Sequence, residues 1–459
     1  MTSAVSSAHS ERRGLVHGAL MAGAFAVAIM MPGSAGAQLG SYNPPPGPQG
    51  TFAIRGGNVI TGTGTDIPGG TVVISGGKIT AVGTSVSIPA GAQIIDAKGL
   101  NVYPGMMDAG TSMGLSEIPE GVPQTVDVSE VGSFNPNVKA FYGIDPHSAH
   151  IGTTRVVGVT TVVSRPSGGI ISGQAALINL AGDTPPAMAI NSAVALAISL
   201  PRSGFAGRGF RGLAQQGGST ADANRQRDVR LDSLKQLLRE AEAYGKALDA
   251  YAKDNTLPRP THDVVLASLL PAIHGEMPVM FTADRANDIR DAVSFAEEMH
   301  LKPIIVGGED AAQVAPFLKQ HDVPVVVTAV LKLPSREDDP YDINYSLPAK
   351  LQQAGVRYAI ASGAEPGEER DLPYVAGMAS AFGLSKADAL RAITLSPAQI
   401  FGVGDRLGTI EVGKMANVVV TTGDLLEPRT DTRYLFIDGR AVPLDTKHSD
   451  LYRMFKDRP

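Results

Sequence analysis

Nine histidines and no cysteine set the chemistry open to this chain: thiolate metal sites, disulfides and cysteine nucleophiles are excluded. Imidazole, carboxylate and hydroxyl groups remain. Asp145, His147 and His150 form a D-x-H-x-x-H cluster, and two histidines three residues apart share one face of a helix, as a metal site needs. The cluster precedes a strand pattern that begins at Thr160, so it is placed away from the strand ends, in a structural or surface role. Gly110-Thr111-Ser112-Met113-Gly114 satisfies G-x-S-x-G, the turn that exposes a nucleophilic serine. The match is short, and the strand pattern described next already accounts for the segment, so a serine hydrolase is not the reading. His262, His274, His300 and His321 stand isolated. Thr61-Gly62-Thr63-Gly64 has no following Lys and reads as a hairpin turn rather than a phosphate loop.

The elements that position these residues fall into two rhythms. From Phe52 to Ile95 short apolar runs (Ile54, Val59-Ile60, Val72-Val73-Ile74, Ile79 to Val82, Ile94-Ile95) alternate with Gly pairs, which predicts a small antiparallel β unit. A matching pattern returns at Gly408–Gly413, Asn417–Thr421 and Tyr434–Gly439, so the two chain ends are expected to pair. Between them, Thr160–Val163, Val279–Thr282, Pro303–Val306, Val323–Thr328 and Arg357–Ala361 are continuous apolar runs, as strands buried on both faces require. Helical spacing separates them, for example Ile289, Ala292, Val293 and Ala296, which suits a βα barrel. Arg202–Arg227, rich in Gly, Arg, Gln and Ser without periodicity, predicts a long mobile insertion, followed by an amphipathic helix over Leu231–Tyr251.

Arg12-Arg13, an apolar run from Ala19 to Met31 and the small-residue site Ala35-Gly36-Ala37 read as a signal peptide over residues 1–37. The mature chain is then exported, periplasmic or secreted, and begins at Gln38. The apolar run is shorter than the ~20 residues that span a bilayer, and Ala187–Leu200 is shorter still, so no membrane association is expected after cleavage. Pro44-Pro45-Pro46-Gly47-Pro48 marks residues 38–51 as a linker. A net charge of -6 with no basic stripe leaves nucleic acid without an electrostatic footprint.

Several stretches resemble the amidohydrolase superfamily, in particular its imidazolonepropionase-like group. They are Gly76-Gly77-Lys78-Ile79 leading to Val102-Tyr103-Pro104-Gly105-Met106-Met107-Asp108; Leu372-Pro373-Tyr374 through Gly383-Leu384-Ser385 to Thr394-Leu395-Ser396-Pro397-Ala398; and Leu407 to Asn417, where the family usually has Asp in place of Asn417. The resemblance implies an α/β fold: a (β/α)8 TIM-type barrel over residues 105–403, plus a small β-sandwich built from residues 52–104 and 404–445, with a tail over 446–459.

Active members of the family carry a divalent metal, normally zinc, held by histidines at the ends of the barrel strands. The matched stretches here are Gly110 to Ser112 after Asp108, Thr282-Ala283-Asp284 before Arg285-Ala286-Asn287-Asp288-Ile289, Gly307 on the next strand, and Gly363 where the last strand of the family carries the metal-binding Asp. None of the five positions Gly110, Ser112, Asp284, Gly307 and Gly363 supplies the family's group, so the Lewis acid and the base of the usual water attack are missing. Asp108, Ser112, Thr282, Asp284, Glu309 and Glu365 remain as the candidate pocket rim. The expectation is a pseudoenzyme with no metal cofactor, binding a small-molecule ligand or pairing with itself or an active relative. The alternative is a divergent hydrolase of non-peptide C–N bonds that uses no metal, or a hard cation on oxygen ligands.

Overall fold

The computed structural model describes residues 45–118, 122–201 and 220–458. The signal segment and residues 202–219 of the expected insertion lie outside the described residues. Two sheets organise the rest. In the first, β5 (Asn101–Pro104) lies between β1 (Phe52–Val59) and β14 (Val418–Thr421), which joins residues from both ends of the chain in one layer. β2 (Ile67–Ser75) and β3 (Lys78–Gly83) extend it on one side, β15 (Thr432–Ile437) and β16 (Arg440–Ala441) on the other, and β4 (Gln93–Asp96) runs parallel to β1. Alternating apolar side chains from both ends, such as Ile54, Val72, Ile74, Val418 and Phe436, meet in one core, as the period-two pattern requires.

Three expectations about this unit change. Gly408–Gly413 is a turn rather than a strand, because Gly408 and Gly413 adopt φ of 90° and 92°. Ile410 and Gly413 still dock, donating to the carbonyls of Thr61 and Ile79. The linker ends early, since Gly47 and Gly50 donate to the carbonyls of Ala441 and Gly439 along the sheet edge. The tail contains a helix, Lys447–Phe455, opened by a Thr446/Ser449 capping box.

The second sheet runs β13 (Tyr358–Ile360), β12 (Val325–Val327), β11 (Pro303–Gly307), β10 (Val279–Ala283), β9 (Ala189–Ile198), β8 (Ile171–Asn179), β7 (Val159–Ser164), β6 (Met106–Thr111). It curls so that its first and last strands approach each other, and β6, β7 and β9 to β13 all point one way. Met107, Val163, Leu177, Val194, Met280, Val306, Val326 and Ala361 fill the interior. An outer cluster, including Phe281, Ile289, Val293 and Phe295, packs the helices onto the strands.

One barrel position departs from pure βα alternation: β8 is antiparallel to both neighbours, so β7, β8 and β9 form a meander. Pro166-Ser167-Gly168-Gly169, with positive φ at both glycines, turns the chain back too soon for a crossover helix. The helix after β9 spans Thr220–Lys253, so the residues from Thr220 to Arg227 belong to it and not to a loop. That stretch has good helix formers, Arg225, Gln226 and Arg227, and an acidic Asp222 in the first turn, which offset the lack of an apolar stripe there.

Candidate functional site

Parallel barrel strands deliver their carboxyl ends to one mouth. Here these ends carry Gly110 to Ser112, Arg165, Thr282 to Asp284, Gly307 to Glu309, and Ser362 to Ala364. Gly110 faces the interior: a Cβ there would lie 3.7 Å from Val326, 3.9 Å from Arg165 Nε and 4.0 Å from Met280. The space that an imidazole at position 110 would enter therefore borders the Arg165 guanidinium. A side chain at Gly307 would run into the Asp284 carboxylate, and Gly307 has φ 108°, which suits glycine. A Cβ at Gly363 would meet nothing within 4 Å. Glycine thus stands at three of the five matched positions, and a guanidinium and a carboxylate border the places where the family's side chains would project.

Arg165 was not expected from the sequence. It follows β7 directly, and its backbone N–H donates to Thr111 O, which fixes it beside the end of β6. Nη1 donates to Thr282 Oγ1 at 3.4 Å, whereas Nε is buried without a hydrogen-bond partner. Burial pulls its pKa below the usual arginine value, and the negative charge of Asp284 works in the opposite direction.

The expected rim residues do not converge. Asp108 is fully buried in the wall rather than on the rim, where it accepts from the N–H groups of Gly110 and Ser362 and from the Ser362 hydroxyl. Ser112 is buried too and donates to Ala364 O at 2.8 Å, so the elbow-like serine is tied to a carbonyl and has no base. These two residues bridge β6 to the segment after β13, where no strand ladder joins the two ends of the sheet. Thr282 does face the mouth. Glu309 accepts from Ser335 at 2.6 Å and lies 4.0 Å from Arg285, while Glu365 is exposed. Among the described residues no group of three or more His, Asp or Glu side chains is arranged to hold a metal ion. Among the described residues the side chains at the matched positions are thus not the donors of the family's zinc, and the candidate carboxylates do not come together.

Burial pushes the Asp108 carboxyl up to about 7, and the charge of Glu369 adds to the shift while the Ser362 hydroxyl opposes it. Glu369 is also fully buried and raised by burial, beside the Thr111 hydroxyl and His150. His150 corrects a further expectation. Its Nε2 lies 3.0 Å from Glu117 O, and a Cβ at Gly367 would lie 3.3 Å from its Nδ1, so it packs against the loop after β13, on the mouth side. The first turn of a barrel helix begins near the mouth, and helix Ala149–Arg155 starts one residue before His150. Asp145 instead accepts from His147 N and closes a turn.

Residues 347–442 match the model of the amidohydrolase family. An imidazolonepropionase from Maricaulis maris (strain MCS10) is 29% identical over 191 residues, 40% of this chain and 45% of that protein. Another, from Syntrophobacter fumaroxidans (strain DSM 10017 / MPOB), is 35% identical over 82 residues, 17% of this chain and 19% of that protein. The chain thus matches less than half the length of either relative. Among solved structures, an amidohydrolase from Thermotoga maritima MSB8 superposes with a TM-score of 0.75 at 24% identity, covering 85% of this chain and 99% of that one. A molinate hydrolase reaches 0.54 at 18%, covering 86% and 95%. Residues 347–442 carry the amidohydrolase family's sequence pattern, and the barrel with its appended β-sheet has the fold of the amidohydrolase superfamily.

Proposed function

We propose that this chain is an exported amidohydrolase-related protein that binds a small-molecule ligand at the barrel mouth and does not run metal-dependent hydrolysis. The observation that carries this reading is the content of the five matched positions: Gly110, Ser112, Asp284, Gly307 and Gly363 present no imidazole, and Arg165 borders the first of them. A fixed cation beside an empty ligand position is a poor neighbour for Zn²⁺, and glycines supply no donor. Without a bound metal no water is acidified, and the buried Asp108 carboxylate already accepts three hydrogen bonds in the wall. Pairing with a second copy or with an active relative belongs to the same reading. The exposed Val131, Tyr142, Leu333 and Tyr341 on the loops after β6 and β12 support such a contact.

The test is elemental analysis of the mature protein purified without a His-tag. Far less than one Zn²⁺, Mn²⁺ or Fe²⁺ per chain is expected, and a chelator should leave the Tm unchanged. Stoichiometric metal, together with amide hydrolysis abolished by chelation and restored by metal, overturns the reading.

A further inference from the structure

We infer that Arg165 is the anchor of the ligand site and that it takes the carboxylate of a small organic acid with an apolar body. This rests on the metal-free reading above. A guanidinium has five N–H donors, and a buried cation is costly unless an anion or several acceptors face it. Arg165 has one long hydrogen bond, 3.4 Å to Thr282 Oγ1, and its Nε is buried without a partner. Among the described residues no carboxylate forms an ion pair with it, although the charge of Asp284 acts on it.

The surroundings select the anion. A planar carboxylate matches the fork of N–H groups on a guanidinium, and the Thr282 hydroxyl stands beside the fork as a further donor. Asp284 and Glu309 lie at the ends of the neighbouring strands, so a singly charged anion is repelled less than a doubly charged phosphate. Val326 and Met280 lie below, within 4.0 Å of a Cβ placed at Gly110, and form an apolar floor for the body of the ligand. At the end of β13 a Cβ on Gly363 would meet nothing within 4 Å, so no side chain of that residue fills space at the mouth.

The experiment titrates the full mature protein with benzoate, with the isosteric neutral benzamide and with inorganic phosphate, following Tm and calorimetric heat. Benzoate should saturate and raise the Tm; benzamide and phosphate should bind at least tenfold more weakly. Arg165→Met should abolish the benzoate response, and Arg165→Lys should retain part of it. Equal binding of benzoate and benzamide, preference for phosphate, or an undiminished response in Arg165→Met overturns the assignment. Each of these can occur in a protein that contains no metal, so the assignment can fail while the metal-free reading stands. Stoichiometric metal would instead sink the reading beneath it.

Discussion

Replacing Asp108 with Asn tests the wall of the site through its pH dependence. Asp108 is fully buried, and its carboxyl is raised from 3.8 to about 7, first by burial and then by Glu369. In the unfolded chain the group ionises near 3.8, whereas in the folded protein it holds its proton until about 7. Below 3.8 both states are protonated, and the group adds no pH dependence. Between 3.8 and about 7 the folded state binds the extra proton, so stability falls as pH rises; above about 7 the penalty is fully present. At about 1.4 kcal/mol per pH unit, this gap amounts to roughly 4 kcal/mol as an upper bound. Asn has no charge to desolvate but a single acceptor oxygen, so it keeps the hydrogen bond from the Gly110 N–H and gives up the one from the Ser362 N–H to the other oxygen, a loss of about 1–2 kcal/mol. Asp108→Asn is therefore expected to be less stable than the native protein near pH 4 and more stable, by roughly 2 kcal/mol, near pH 8. Urea unfolding of both proteins at half-unit pH steps measures the difference, in which the contributions of titrating groups not coupled to Asp108 cancel. Two curves that run parallel from pH 4 to 8, or a native protein that gains stability on the variant as pH rises, would refute the reasoning.

Three further outcomes follow. Changing Gly110, Ser112, Asp284 and Gly307 to His and Gly363 to Asp should create little Zn²⁺ affinity while Arg165 remains, since the new imidazole at 110 projects beside Arg165 Nε; adding Arg165→Met should raise the affinity in a zinc-dye competition. Asn417→Asp, which restores the residue usual in the family, should cost about 2–3 kcal/mol in denaturant unfolding, because Asn417 Nδ2 donates to Thr161 Oγ1 and Asn179 Oδ1 and a carboxylate would face that oxygen without a proton to share. Sequencing of the exported protein should begin at Gln38, and an intact Met1 in the mature form would end the signal-peptide reading.

The barrel was legible wherever a strand is buried on both faces, because Val279–Thr282, Pro303–Val306 and Val323–Thr328 have no polar face to dilute the apolar run. The meander was not. Strand β8 includes Ser172, Gly173, Gln174 and Asn179, which weaken a strand signal, and only the tertiary setting buries Gln174 against Pro136 O and Asn179 against Thr161 and Asn417. Asp108 and Ser112 were expected at the rim because an ideal strand alternates strictly. The register of β6 against β7 shifts between Asp108 and Thr111, and this irregularity places Gly110 on the interior face while Asp108 turns into the wall.

Arg165 was invisible for a different reason. A lone arginine after an apolar strand carries no pattern, and its meaning depends on Gly110 on the neighbouring strand, 55 residues earlier in the chain. One signal was available: the sequence shows which side chains are missing at the matched positions, and a barrel mouth without them still has to settle its charge and its space. Asp284 puts a carboxylate at the end of β10, and its charge acts on the guanidinium of Arg165 at the end of β7, a strand that points the same way. On the proposed metal-free reading, the side chains absent from the matched positions and the cation beside Gly110 belong together, which is why the five histidine and aspartate replacements alone should not create a metal site.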